Sequence, residues 1–444
     1  MPWLFEMNQK LNIPFDQMGQ YCYQLAEKLW PINRSLTGDG VRQTLAILKS
    51  EIPELQVSEV PSGTSVFDWT IPQEWKIRQA YIEDESGHRW IDFANHNLHV
   101  MGYSTPVDQW MSREELEPYL YSLPNQPTAI PYVTSYYAPR WGFCLSQQQR
   151  DALPDGRFHV VIDSELFDGH LTYAECYLPG QTEQEILLST YICHPSMANN
   201  ELSGPVVTTA LIQYLKSIER RYSYRIVFVP ETIGSIAYLS KHLSVMKRNT
   251  VAGLVVTCVG DPFHYSYLST RQGNHLIDRV AKHVLLKIEP NYKYYSFLDR
   301  GSDERQYGSP LVNLPVGSIM RSKYADFLEY HSSLDNLSFV TPAGLQGGFD
   351  AIRQSLLILE KNRYPKVTVF CEPQLGKRGL YPTVSFSGSS SHVRLMTNVL
   401  AYADGSMSLF DMAELFRCDF FELDAICSKL EEEQLVISSF QSQD

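Results

Sequence analysis

The spacing of hydrophobic residues changes three times along the chain. Residues 18–50 place apolar side chains three and four positions apart in two segments, which is typical of amphipathic helices. The polar segment NRSLTGDGVR between them predicts a loop that opens the second helix. Residues 56–177 instead carry short alternating segments divided by Pro, Gly and Asp, which predicts a subdomain of short strands.

Residues 185–360 alternate between buried-type strands and amphipathic helices. Strands are predicted at EILLSTYIC, YRIVFVP, VAGLVVTCVG and LVNLPVGSIM. Helices are predicted at GPVVTTALIQYLKSI, SIAYLSKHLSVM, NHLIDRVAKHVLLKI and LQGGFDAIRQSLLILEKN. This alternation predicts an α/β sheet covered by helices on both faces, with ligands bound beyond the carboxyl ends of the strands.

The last segment, 385–444, has the pattern helix, turn, helix, turn, helix, strand, which resembles a winged helix-turn-helix. Its few basic residues are outnumbered by Asp and Glu, including the run at 431–433, so it lacks the positive charge that would neutralise phosphates. We therefore expect a protein-contact module that supports homo-oligomer formation. A transcription factor with a sensory domain is the weaker alternative, because it rests on the winged-helix pattern alone.

These changes predict three domains: an α/β domain at 1–55 and 180–370, an inserted β-rich subdomain at 56–179, and a winged helix at 385–444. The formal net charge of -13 disfavours nucleic acid and anionic membranes as partners. The 444 residues contain no apolar run long enough for a membrane span, and the N-terminus lacks a signal-peptide pattern. Eight scattered cysteines without a CxxC pair favour a reduced, cytoplasmic setting.

Three polar clusters follow elements of the α/β region: CHPSMANNELSG, PETIGS and EYHSSLDN. They contain His194, Glu231 and His331, at places where the fold would form a site. Neutral histidines bind zinc well, and a buried glutamate suits a general base. Each residue alone also has a structural explanation, as a strand-end packing residue, a helix N-terminal charge or a helix-entry residue. Their occurrence after successive elements favours a shared site.

A fourth cluster, LDRGSDERQYGSP, holds four candidate substrate-binding residues: Arg300, Asp303, Arg305 and Tyr307. An arginine held by an aspartate could position a carboxylate or another polar group. A solvated loop with internal ion pairs explains the pattern equally well. The aromatic residues of SYYAPRWGFC favour the core of the β subdomain over the wall of a cleft.

The clusters together resemble the motifs of M28-type zinc aminopeptidases. The whole chain is similar to aminopeptidase-like proteins of the DUF4910 and DUF2172 type, which carry an inserted β domain and a C-terminal winged helix. This resemblance implies a mixed sheet flanked by helices. It assigns the first metal histidine to His194, the general base to Glu231 and the last metal histidine to His331.

The resemblance also shows departures from the family's two-zinc site. Asn200 stands where the bridging aspartate is expected, followed by Glu201, and Thr232 replaces a glutamate ligand. Thr257 or Cys258 falls where a later aspartate would lie. Because threonine and asparagine are weaker zinc ligands than carboxylates, we expect one zinc ion at most, held by His194, His331 and the Asn200–Glu201 pair.

Two functions follow as hypotheses. The first is a zinc-dependent amide or peptide hydrolase of aminopeptidase type, acting on a small peptide or aminoacyl-like substrate. The second is a catalytically degenerate aminopeptidase fold that binds ligands or partners. Asn200 favours the second hypothesis, and the pair of histidines with Glu231 favours the first.

Overall fold

A computed structural model of the chain describes residues 14–380 and 389–441. The chain divides into two compact units, Met1–Arg353 and Gln354–Asp444. No helix among the described residues has the length and apolarity that crossing a bilayer requires.

Sixteen strands and nine α-helices are described in the N-terminal unit. The strands are β1 (Gln56–Pro61), β2 (Ser65–Val66), β3 (Trp69–Thr70), β4 (Glu74–Asp84), β5 (Arg89–Asp92), β6 (Val107–Ser112), β7 (Leu120–Tyr121), β8 (Phe143–Cys144), β9 (Arg157–Phe167), β10 (His170–Leu178), β11 (Glu185–Tyr191), β12 (Ser223–Val229), β13 (Thr250–Val255), β14 (Ser266–Leu268), β15 (Lys293–Tyr295) and β16 (Val316–Met320). The helices are α1 (Met18–Leu29), α2 (Asp39–Glu51), α3 (Arg113–Leu116), α4 (Gln147–Ala152), α5 (Ser203–Lys216), α6 (Ile233–Asn249), α7 (Leu276–Ile288), α8 (Glu304–Tyr307) and α9 (Pro342–Lys361), the last of which continues into the C-terminal unit.

An eight-stranded mixed sheet organises this unit, in the order β1-β10-β12-β11-β13-β16-β14-β15. Its four central strands, β12, β11, β13 and β16, run parallel. All seven residues of β11 and of β12 are buried, which explains why apolar residues predominate in both strands. The predicted α/β sheet with parallel central strands is confirmed. Because the parallel strands end at one edge, the loops that follow them meet there.

The inserted β-rich region forms its own four-stranded antiparallel sheet, in the order β5-β4-β9-β6. Strands β1 and β10, which the sequence pattern grouped with this insertion, instead pair with each other at the edge of the main sheet. The inserted sheet therefore spans 74–167, a narrower range than the predicted 56–179. A pairing such as Gln56 with Glu175 joins residues far apart in the chain, so local periodicity does not reveal it.

The C-terminal unit contains α10 (Ser389–Tyr402), α11 (Leu409–Phe416), α12 (Phe420–Glu432), β17 (Tyr364–Val367) and β18 (Val436–Ser439). The two strands pair antiparallel and complete the predicted winged helix. Their pairing extends this unit upstream of the predicted start at 385, and residues 385–388 lie outside the described range. Ser408 and Asp419 cap α11 and α12 by accepting hydrogen bonds from the first-turn amides.

A largely buried ionic cluster joins residues 361–363, directly before β17, to α12. The Arg363 side chain donates to Asp424 (2.5 Å) and to Glu431 (2.8 Å), and Lys361 also donates to Asp424 (2.7 Å). The Asp424 side chain is only 9% exposed. Removing one charge from such a cluster leaves the others without compensation.

We predict that Asp424→Asn lowers the free energy of local opening of α12 by about 2 kcal/mol, since the two cations lose their shared carboxylate. Hydrogen exchange of the α12 amides, read by mass spectrometry, measures this change. The matched control is Glu432→Gln on the same helix, because Glu432 pairs with Lys429 while 68% exposed and should change exchange little. Equal exchange in the two variants would contradict a stabilising role for the Arg363 cluster.

Candidate active site

A cleft of about 310 Å³ opens at the carboxyl edge of the main sheet. Its lining combines side chains that follow β11 and β12 with aromatic side chains from the inserted region. The lining residues are Leu36, Trp69, Tyr132, Thr134, Tyr136, Tyr137, Cys193, His194, Glu231, Thr232, Ile233, Arg305 and His331. The structure therefore brings together the two histidines and the glutamate that the sequence analysis grouped.

The His194 imidazole is held by a buried carboxylate. Its Nδ1 atom lies 2.9 Å from Oε2 of Glu201, and the Nε of Arg34 lies 3.5 Å from the other Glu201 oxygen. Both charged side chains are fully buried, and Arg34 also donates to the His194 carbonyl (3.0 Å). An Nδ1–H bond to Glu201 directs Nε2 of His194 toward Glu231, whose Oε2 lies 3.6 Å away.

The charges around His194 favour its protonated form. Burial lowers the pKa of His194, but the neighbouring Cys193 and Glu201 raise it more, and the net direction is well above the ordinary value. The Cys193 thiol is itself buried, and burial raises its pKa to about 11. A cation bound at Nε2 would replace the imidazole proton, as metals do when they bind histidine.

Glu231 follows β12 and presents its carboxylate to the cleft. Its Oε1 accepts a hydrogen bond from the Ser302 hydroxyl (2.7 Å), and its backbone N–H donates to Cys193 Sγ (3.2 Å). Burial raises the pKa of Glu231, against the opposing effects of the His194 charge and the Ser302 hydrogen bond. A glutamate with a raised pKa and a fixed orientation is suited to general base catalysis.

The residue after Glu231 has a strained backbone. Thr232 has a φ of 65°, which is unfavourable for a β-branched residue. Its N–H donates to Asp303 Oδ1 (2.7 Å), and the Ser235 hydroxyl donates to the same oxygen (2.9 Å). Burial and the nearby Glu231 raise the pKa of Asp303 to about 7. Asp303 thus anchors the turn that orients Glu231.

His331 faces His194 across the cleft, with ring centroids 5.5 Å apart. It has a φ of 55°, and its carbonyl accepts from the Tyr132 N–H (2.9 Å), a residue of the inserted region. Tyr330 stacks on the His331 ring with centroids 3.9 Å apart. Burial and the His194 charge lower the pKa of His331 to about 3, so its imidazole is neutral and has a lone pair for a metal.

Asn200 lies on a turn of π-helix, Ala198–Leu202, that leads into α5. Its side-chain amide donates to the Tyr191 hydroxyl (2.8 Å), and the Thr257 hydroxyl donates to the backbone carbonyl of Asn200 (2.9 Å). Asp335 accepts from the backbone N–H of Asn200 (2.9 Å), and burial raises the pKa of Asp335 to about 7. Among the described residues, the buried Asn200 Oδ1 atom has no hydrogen-bond partner.

The donor set fits one metal ion better than two. His194, His331 and Glu231 place nitrogen and oxygen donors in the lining of the cleft, and Asn200, outside that lining, has a buried side-chain oxygen without a hydrogen-bond partner among the described residues. Thr257 is hydrogen-bonded to backbone, and the side-chain oxygen of Thr232 accepts a hydrogen bond from Arg305 (2.5 Å). The carboxylates that would complete a second metal site are therefore missing at Asn200, Thr232 and Thr257.

The position of Glu201 argues for an orienting role. In the described part of the chain, Cys193, His194 and Glu201 place donor atoms within 4.8 Å of one another. However, Arg34 already balances the Glu201 charge, and a cation beside it would meet a buried guanidinium. Glu201 is better placed to fix the tautomer of His194 than to bind a metal, which differs from the ligand role expected from the sequence.

The four candidate substrate-binding residues separate into three groups. Arg305 lines the cleft, whereas Arg300 is exposed and donates to the Phe297 carbonyl (3.2 Å). Asp303 and Tyr307 are fully buried, and the Tyr307 hydroxyl pairs with Ser189 of β11 (2.9 Å). A buried side chain with such partners does not reach a substrate, so only Arg305 keeps the expected position.

Several functional candidates went unrecognised in the sequence. Arg34 contacts Glu201, while Cys193 and Ser302 contact Glu231. Of these three residues, only Arg34 lies in a segment that the sequence marks as unusual, NRSLTGDGVR. Tyr136 and Tyr137 line the cleft although a core position was favoured for them. Phe143, from the same segment, is fully buried in the core as expected.

The mixed sheet and its histidine–glutamate cleft define an aminopeptidase-like protein. The chain belongs to the family described as Domain of unknown function (DUF4910), which matches residues 23–362. A winged helix-turn-helix family matches residues 362–438.

Relatives agree with this assignment. The chain is 47% identical over 401 residues to a Clostridium acetobutylicum protein. That protein is named, by inference, a polysaccharide biosynthesis protein with aminopeptidase-like domain. The match covers 89% of this chain and 91% of that one. A C. acetobutylicum crystal structure, named a peptidase by inference, superimposes with a TM-score of 0.92 at 42% identity, covering 98% of this chain and 100% of that one.

More distant structures share the fold alone. A zinc aminopeptidase from Bacillus subtilis has a TM-score of 0.56 at 11% identity, covering 77% of this chain and 94% of its own. The peptidase M28 precursor from Shewanella amazonensis has a TM-score of 0.57 at 10% identity, covering 84% and 98%. The mixed sheet of M28 aminopeptidases is therefore common to all of them, whereas the chemistry depends on the residues at the site.

We predict that Glu201→Gln lowers the free energy of unfolding of the N-terminal unit by about 3 kcal/mol, because it leaves the buried Arg34 charge uncompensated. Urea denaturation followed by tryptophan fluorescence measures this unit, since all seven tryptophans lie before residue 142. Glu54→Gln serves as the control, because its Lys216 partner is 32% exposed and the exposed pair contributes little. A loss below about 0.5 kcal/mol in Glu201→Gln would contradict the buried-pair interpretation.

Proposed function

We propose that the chain is a zinc-dependent amide hydrolase of aminopeptidase type that acts on a small peptide or aminoacyl-like substrate. The observation that carries this proposal is the orientation of His194, whose Nδ1 is held by Glu201 while Nε2 faces the Glu231 carboxylate at 3.6 Å. A histidine fixed through one nitrogen, with the other directed at a base in a cleft, is the usual arrangement of a metal-binding imidazole.

In this proposal His194 and His331 hold one zinc ion, with Asn200 as the oxygen donor. A bound zinc ion would polarise the scissile carbonyl and lower the pKa of a water molecule. Glu231 is placed to accept a proton from the attacking water and to transfer it to the nitrogen of the leaving amine. Ser302 holds the carboxylate through Oε1, which leaves Oε2 for proton transfer.

The cleft limits the size of the substrate. Its volume of about 310 Å³ suits a small molecule or the end of a short peptide. The relative named for polysaccharide biosynthesis is consistent with an amide carried by a small precursor. We also propose that the protein is cytoplasmic and that it forms a homo-oligomer through the winged helix.

A second candidate function is a non-catalytic ligand-binding scaffold. The observation in its favour is the loss of three carboxylates, at Asn200, Thr232 and Thr257, each of which now has a hydrogen-bonding role. This candidate predicts negligible zinc after purification in zinc-supplemented medium and no amide hydrolysis.

Zinc content and hydrolysis of amino acid amides and N-acyl amino acids test the proposal. We expect about one zinc per chain in the wild type and its loss in His194→Ala, by elemental analysis. Glu231→Gln should retain zinc but lose about 10²- to 10⁴-fold in kcat, because it removes the base and leaves the histidines. The matched control is Glu183→Gln, which changes an exposed glutamate before β11 and should alter neither quantity.

Two outcomes would separate the candidates. Full activity in Glu231→Gln would refute the assignment of the base. A zinc-free and inactive wild type would favour the scaffold.

A further inference from the structure

Arg305 is a cation in the cleft without a carboxylate partner. Its guanidinium donates to the Thr232 hydroxyl (2.5 Å), and it forms no ion pair with any described carboxylate. The side chain is exposed and lines the cleft beside Glu231, where its charge opposes part of the rise in the Glu231 pKa that burial causes. One edge of the guanidinium is therefore anchored on the protein and the remaining donors face the cleft.

The acidic residues next to Arg305 in sequence do not neutralise it. Asp303 accepts from the Thr232 N–H and from Ser235. Glu304 accepts from the N–H groups of Gly301 (2.8 Å) and Ser302 (3.0 Å), among other donors. Both carboxylates are fully buried, so the loop presents only its positive charge to the cleft.

The cleft offers little to a free amino group. Glu231 is the only carboxylate among its lining residues, and the proposed mechanism uses it as the base. Thr232 occupies the next position, where a second carboxylate could otherwise have attracted an ammonium group. A substrate with a free α-amine would therefore bring a positive charge close to Arg305 without a separate anionic partner.

We propose that Arg305 recognises a carboxylate on the leaving-amine side of the substrate, so that the substrate class is the N-acyl amino acids and not free-amine peptides. This proposal rests on the proposed hydrolase function. A planar guanidinium matches a carboxylate through two parallel hydrogen bonds. Arg305 contacts Thr232, the residue directly after Glu231. Because Glu231 protonates the leaving nitrogen, we place the substrate carboxylate on the nitrogen side of the amide.

The reaction is hydrolysis and balances without a further reactant. The water oxygen forms a bond to the acyl carbon while the bond between that carbon and the amide nitrogen breaks. Glu231 carries one water proton to the nitrogen. The products are a carboxylic acid and an amino acid, whose carboxylate remains at Arg305 until release.

An apolar groove beside Arg305 has room for the side chain of the amino acid. The groove has a volume of about 350 Å³, and Gln306, the neighbour of Arg305, is part of its lining. Ile236, Leu239 and Leu311 supply apolar surface, and Trp69 lines both the groove and the cleft. Leucine is therefore a suitable residue for the test ligands.

Binding to Glu231→Gln protein purified with zinc tests the proposal without turnover. Isothermal titration at fixed ionic strength compares N-acetyl-L-leucine, its neutral amide N-acetyl-L-leucinamide, and L-leucinamide with a free amine. We expect N-acetyl-L-leucine to bind about tenfold more tightly than the other two. Adding Arg305→Gln should remove this preference while leaving the affinity for the neutral amide within about twofold.

The matched control adds Arg300→Gln, which removes the same charge from an exposed arginine of the same loop that does not line the cleft. It should preserve the tenfold preference. Tightest binding of L-leucinamide, or a preference for the acid that survives Arg305→Gln, would overturn the proposal. An equal loss in both arginine variants would also overturn it, by assigning the effect to net charge.

The same ligands separate failure of this inference from failure of the proposed function. If the wild type hydrolyses none of them but the Arg305-dependent preference holds, the hydrolase function fails and the carboxylate site stands. If the wild type hydrolyses L-leucinamide and Arg305→Gln changes none of the ligand affinities, the hydrolase function stands and the carboxylate site fails.

Discussion

The compensation of one buried negative charge underlies the whole site. Glu201 lies in a dry interior where an isolated carboxylate would be costly, and Arg34 supplies the opposite charge from the loop between α1 and α2. Glu201 holds the Nδ1 atom of His194, and Arg34 donates to the backbone carbonyl of His194. The opening helices therefore belong to the architecture of the candidate site, although neither helix contributes a residue to the lining of the cleft.

Four residues in the loops at the carboxyl edge of the main sheet have a strained backbone. Ser196, Thr232, Cys258 and His331 all have positive φ values, and none of them is glycine. Such conformations cost of order 1–3 kcal/mol each and persist where surrounding contacts enforce them. Asp303 provides such a contact by accepting from the Thr232 N–H, and Asp335 accepts from the N–H groups of Asn199 and Asn200, in the loop that contains Ser196. Buried carboxylates near the cleft thus shape the backbone instead of binding substrate.

Periodicity predicted the helices and buried strands of the α/β region, because each has a strong local signal. The grouping of His194, Glu231 and His331 followed from the rule that parallel strands end at one edge. The three-residue strands β14 and β15 were missed because they are too short to show alternation. The role of Glu201 was also hidden, since it depends on the π-helical turn and on Arg34, more than 150 residues away.

The contact between the inserted region and His331 has a consequence for folding kinetics. Ile130 and Tyr132 bond to residues 331–333, about 200 positions later in the chain, and so close a very long loop. Contacts of such sequence separation form late, because their loop-closure entropy must be offset by structure already present. During synthesis the strands of the main sheet can pair before residues 331–333 complete the lining of the cleft. We therefore expect the cleft to acquire its geometry late in folding, after the sheet that supports it.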